Sequence, residues 1–153
     1  MTAYRTAADT LASTDPGCHV PWTLLAAIGR VESDHGRYGG SVLATDGVSR
    51  PEIIGVPLDG KGPVAAIHDT DGGRLDGDTT WDRAVGPMQF IPSTWAWAGR
   101  DGDGDGRQNP HDLDDAALAA GDYLCTGADL RDGDAMDAAI LRYNPSDYYV
   151  ALV

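Results

Sequence analysis

The feature that most limits what this chain can fold into is an imbalance of periodicity. Apolar residues recur at helical spacing near both ends, while residues 41 to about 80 are rich in Gly, Pro and Asp and show almost none. In a chain of 153 residues, so long a non-periodic stretch is expected to fold over the core and serve a function; disorder is the alternative, and its Ile and Val content argues against that. The fold expected is mainly α, one domain over residues 1–153, with a long irregular segment bordering a cleft.

Helices are expected over residues 3–13, from Pro21 to about Asp34, from Pro92 to the acidic loop, from Leu113 to about Cys125, over Asp134–Tyr143, and after Pro145. Leu24, Leu25, Ile28 and Val31 carry the periodicity of the second helix, and Gly36 and Gly39-Gly40 stop it. A short strand is expected at Glu52–Val56.

Net charge excludes whole classes of partner. At -13, without clusters of Lys and Arg, the chain is unsuited to nucleic acid or to an anionic membrane surface. No run is long and apolar enough to span a bilayer. Met1–Arg5 lacks the basic and apolar regions of a signal peptide, so an exported form would carry its signal outside this chain. Cys18 and Cys125 show no metal or redox spacing; they read as one disulfide or, alternatively, as two buried thiols.

Residues 101–112 read Asp-Gly-Asp-Gly-Asp-Gly-Arg-Gln-Asn-Pro-His-Asp. Asp101, Asp103 and Asp105 take positions 1, 3 and 5 of an EF-hand loop, and Gly106 takes position 6. Arg107 would give a backbone carbonyl, Asn109 takes position 9, and Asp112 takes position 12. Three carboxylates so close repel unless a hard cation gathers them, and calcium suits the many oxygens offered. Asp at position 12 and Gln108 at position 8 depart from the pattern and point to one structural site. A solvated acidic turn is the alternative, and a calcium sensor is disfavoured because a single such loop is present.

Glu32 and Glu52 are the only glutamates among 24 acidic residues. Glu32 lies near the C-terminal end of its apolar helix, where the dipole and the neighbouring Ile28 and Val31 both raise a carboxyl pKa. By itself that describes a surface acid as well as a general acid. Two further constellations add to it: Gly86-Pro87-Met88-Gln89-Phe90, and Arg142-Tyr143-Asn144 with Tyr148 and Tyr149. Amide side chains and tyrosines supply planar hydrogen bonds and flat stacking faces, which suit sugars.

Taken in order, Val31-Glu32-Ser33 with its Gly36-Arg37-Tyr38-Gly39 tail, Gly86–Phe90 and Arg142-Tyr143-Asn144 resemble the lytic transglycosylases with the goose-lysozyme-like (SLT) fold. The acidic loop, beginning twelve residues after Gln89, is similar to that of the membrane-bound lytic transglycosylase B branch. The resemblance covers roughly residues 20–152.

It implies a secreted, monomeric enzyme acting on peptidoglycan glycan strands at the cell wall, with Glu32 as acid/base. It also implies substrate contacts from Ser33, Met88, Gln89, Phe90, Tyr143 and Asn144. Thr80 would fall where the family has a serine, and Tyr149 would match a second substrate tyrosine. Glycosidases ordinarily use two carboxylates. With no second acidic motif here, the resemblance implies ring closure to a 1,6-anhydro sugar. A hydrolytic muramidase and a non-catalytic peptidoglycan-binding module are the alternatives.

Overall fold

The computed structural model describes residues 1–62 and 64–153. Its helices are α1 (Thr2–Thr14), α2 (Trp22–Ser33), α3 (Pro92–Ala98), α4 (Leu113–Cys125), α5 (Gly133–Tyr143) and α6 (Asp147–Leu152). The fold is mainly α, as expected.

α4 is the helix around which the others pack. Ala116, Ala117, Ala119, Ala120, Gly121 and Leu124 are all buried, so it lacks the polar face of a surface helix. Its small residues let neighbours approach closely. A Cβ on Gly121 would run into Leu11 of α1. α1 contributes Ala3, Tyr4, Ala7 and Leu11 to this core, and α2 contributes Leu24, Leu25 and Ile28. Cys18 and Cys125 form a disulfide with a Cα–Cα separation of 5.2 Å, which decides between the two readings of the cysteines. By constraining the unfolded chain, a loop of this length contributes about 4–5 kcal/mol in the entropy model.

Local chemistry sets the helix ends. Asp112 and Asp132 accept hydrogen bonds from the first free backbone N–H groups of α4 and α5, and Ser146 does so for α6. Pro21 is the residue before α2 rather than part of its first turn. α2 stops because Asp34, His35 and Gly36 all take left-handed backbone conformations.

The middle of the chain forms two small antiparallel ribbons. β1 (Val42–Leu43) pairs with β2 (Ser49–Arg50), and β3 (Ile54–Pro57) pairs with β4 (Arg83–Val85) in the register Ile54 to Val85 and Pro57 to Arg83. β3 is the strand expected at Glu52–Val56, displaced by a residue or two. Between β3 and β4, isolated backbone bridges join Asp59 to Ala66 and His68 to Trp81, and side-chain carboxylates hold the turns. Asp69 accepts from the backbone N–H groups of Asp71, Gly72 and Gly73, and Asp71 accepts from those of Arg74 and Leu75.

Candidate active site

Glu32 is the next-to-last residue of α2, so its carboxyl leaves the core at the point where the helix breaks. The break is anchored by Ser33. Its buried hydroxyl donates to the Pro87 carbonyl at 2.6 Å and accepts from the Gly36 N–H at 2.8 Å. Ser33 therefore joins the acid's helix to the turn carrying Gln89, and its side chain does not face the cleft.

That turn spans Gly86–Gln89 between reciprocal Val85 and Phe90 backbone bonds of 2.8 and 3.0 Å. Gly86 has φ of 77°, and a Cβ there would overlap the Pro110 carbonyl, so only glycine fits. Gln89 is held at φ of 52°, sparsely populated for a residue with a side chain. Its side-chain amide donates to the Gly86 carbonyl at 2.9 Å, leaving Oε1 beside Gly55.

A cavity of about 540 Å³ opens in front of Glu32. One wall is Gln89, Phe90, Ile91 and Thr94; another is Tyr123, Tyr143 and Asn144 to Ser146. Ala84 of β4 and Leu58, Val64 and Ala65 from the loop after β3 close it. Among the described residues lining it, Glu32 is the only acid.

Burial pushes the Glu32 carboxyl up from its ordinary pKa, and a hydrogen bond from Tyr149 opposes this. The Tyr149 hydroxyl donates to Oε1 at 2.5 Å. Burial first, and then the Glu32 charge, hold both the Tyr149 and Tyr143 hydroxyls far above their usual range, so each remains a donor. Tyr143 donates to the Met88 carbonyl at 2.7 Å and packs edge-on to Phe90 at 5.9 Å.

Of the residues expected here, the structure brings together Glu32, Gln89, Phe90, Tyr143, Asn144 and, through its hydrogen bond, Tyr149. Met88 is wholly buried, and only its carbonyl serves the site, by holding Tyr143. Thr80 is exposed and is not among the lining residues; its backbone is engaged with Asp69 and Asp78 instead. Tyr123 lines the cavity and was not expected. Its aromatic place in α4 resembles a core position, and no spacing signal set it apart.

The acidic loop lies between α3 and α4. Carboxylate oxygens of Asp101, Asp103 and Asp115 all lie within 4.8 Å of one another. Asp112 is not part of this group. It is buried and caps α4, its Oδ1 accepting from the Asp114 N–H at 2.8 Å. Burial also raises its pKa to about 6.

Asp115, one turn later and buried, reaches back into the loop. Its two oxygens accept from the N–H groups of Gly102 at 2.6 Å and Asn109 at 2.8 Å. Burial pushes its carboxyl up against those two bonds, and the charges of Asp103 and Asp101 push the same way. Asp105 stays exposed, bonded to the Arg107 N–H at 2.8 Å.

Residues 64–137 match the family model described as the Transglycosylase SLT domain. The matched span contains Gln89 and the acidic loop. Glu32 precedes it, and Tyr143, Asn144 and Tyr149 follow it. No curated protein and no solved structure matches the chain.

Proposed function

We propose that this chain is a lytic transglycosylase that cleaves the β-1,4 bond between N-acetylmuramic acid and N-acetylglucosamine in peptidoglycan. The observation that carries the reading is a single carboxyl, partly desolvated and gripped by a tyrosine, in a cavity whose other described walls hold no acid. The match of residues 64–137 to the transglycosylase SLT family model supports the same substrate class.

The chemistry follows from one group acting twice. Burial favours the protonated form of Glu32, and in that form it donates its proton to the glycosidic oxygen. The C1–O bond breaks, N-acetylglucosamine leaves with that proton, and positive charge develops at C1 of the muramoyl unit. The oxygen of the substrate's own N-acetyl group stabilises this charge, the task a second carboxylate performs in other glycosidases. Glu32, now a carboxylate, takes the proton of the muramoyl C6 hydroxyl, whose oxygen closes on C1 to give the 1,6-anhydro ring. No water is consumed, and Glu32 ends protonated as it began.

Tyr149 fixes the Glu32 rotamer through both steps. Gln89 and Asn144 offer amide groups to the N-acetyl substituents. Such a substrate places the enzyme outside the cytoplasm, and no helix among the described residues is long and apolar enough to cross a membrane. The chain acts as a single-domain monomer in this reading.

Asp101, Asp103 and Asp115 would hold a calcium ion, with the Arg107 carbonyl and Asp105 as further oxygen donors. Three carboxylates converging on one point, one of them buried, fit a hard divalent cation. Its role is to brace the junction between α3 and α4, outside the reaction itself.

Digestion of purified peptidoglycan followed by mass analysis of the muropeptides tests the reaction. Anhydro products are expected. Products heavier by one water, about 18 Da by the stoichiometry of hydrolytic cleavage, would make the enzyme a muramidase. Binding without any cleavage would make it a recognition module.

A further inference from the structure

α3 divides its two tryptophans between inside and outside. Trp95 is buried, with its ring edge-on to Phe90 at 5.2 Å between centroids. Trp97 points away from the core and remains 60% exposed. A tryptophan this open forgoes much of the burial that its size offers.

Its ring is not isolated. It lies 5.6 Å from the ring of Tyr123 at an interplanar angle of 35°. Tyr123 lines the Glu32 cavity and meets Tyr143 edge to face at 5.7 Å. Thr94, also in the cavity wall, precedes Trp97 by three residues on the same helix, and residues so spaced share a face. The aromatic surface therefore starts inside the cavity and continues outward across α3 and α4.

One guanidinium braces it. Nη1 of Arg100 donates to the carbonyls of Trp97 at 3.1 Å, Ala98 at 3.0 Å and Gly99 at 2.9 Å. Nη2 of the same side chain pairs with Asp122, the residue before Tyr123. The end of α3 and the Tyr123 segment of α4 are thus fixed together before any ligand arrives, which lowers the ordering cost of binding.

We infer that Trp97 and Tyr123 form a stacking platform for a sugar ring of the glycan strand beyond the one held at Glu32. The inference rests on the reading of the cavity as a peptidoglycan cleft. A pyranose ring suits the surface because its C–H face is flat and apolar while its hydroxyls stay at the edge, in water. A protein partner does not suit it. The exposed neighbours on α3 are Ser93 and Ala96, small side chains that add no further apolar anchor of the kind a protein interface centres on. Continuity with the cavity makes the occupant the next part of the same strand.

Calorimetric binding of peptide-free glycan strands of graded length tests this, with intact protein carrying Glu32→Gln to prevent turnover. Adding Trp97→Ala is expected to weaken binding of long strands about threefold to tenfold, with a smaller loss on the shortest fragments. Trp97→Tyr should recover most of the loss, and melting curves verify that each variant is folded. Equal affinities with and without Trp97 at every length would overturn the platform. So would an equal loss on every strand, the shortest fragments included. Trp97-dependent binding by a wild-type protein that cleaves nothing would remove the lytic reading and leave the platform standing.

Discussion

The Tyr149 hydroxyl donates to Oε1 of Glu32 at 2.5 Å, joining residues 117 positions apart. The bond favours the charged form of an acid whose pKa burial pushes the other way. Tyr149→Phe should therefore raise the Glu32 pKa further. Because the first step needs the protonated acid, the alkaline limb of the kcat profile should move to higher pH. At the same time kcat should fall about ten- to a hundredfold, the range set by one hydrogen bond to a charged group. An unmoved alkaline limb in the pH–rate profile would separate Tyr149 from Glu32.

Glu32→Gln should lower turnover of peptidoglycan by about 10²–10⁴-fold. It should also change stability in a pH-dependent direction. A carboxyl whose folded pKa is raised binds its proton more tightly in the native state. Its contribution is thus fully present below the unfolded pKa and is lost as pH rises through the folded one. The Tm of the Gln variant should gain on wild type as pH rises from about 4 towards neutrality, starting near the ordinary carboxylate pKa. A constant Tm difference across that window would mean that Glu32 titrates normally.

Ser33 has its effect through the backbone it holds. Ser33→Ala leaves the Pro87 carbonyl and the Gly36 N–H without their buried partner, which should cost about 1–3 kcal/mol of unfolding free energy. Denaturant melts measure it directly. A loss of glycan affinity with no loss of stability would place Ser33 on the substrate instead.

Chelation should lower the Tm if the loop holds calcium, and the two buried aspartates should then behave differently. Asp115→Asn should abolish the calcium-dependent rise in Tm. Asp112→Asn retains an oxygen able to cap α4 and should keep that rise. Thermal melts with calcium and with excess chelator distinguish them, and the reverse pattern would restore Asp112 as the ligand.

The helices were legible because their signals are local. α4 begins after Asp112 and ends at Cys125, close to the bounds expected from its own residues. The segment from 41 to 80 was opaque for the opposite reason: its order comes from very short strand pairings and from carboxylates folded onto nearby N–H groups, which leave no periodicity.

Within the site, motif order pointed to Glu32, Gln89, Tyr143 and Asn144, which one cavity unites. Adjacency within a motif says nothing about direction, and so Ser33 and Met88, next to functional residues, turn inward. Asp115 escaped notice because a twelve-residue loop template ends before it. The helix geometry that returns its carboxylate to Asp101 and Asp103 is visible only after folding.

The covalent tie between Cys18 and Cys125 makes a closed ring of the chain between them. Glu32, Gln89 and the acidic loop all lie on that ring. A protease that nicks the backbone once anywhere inside it opens the ring but releases no fragment. In surroundings where hydrolytic enzymes are common, a single cut in the exposed middle segment would leave the acid and its partner amide within one molecule.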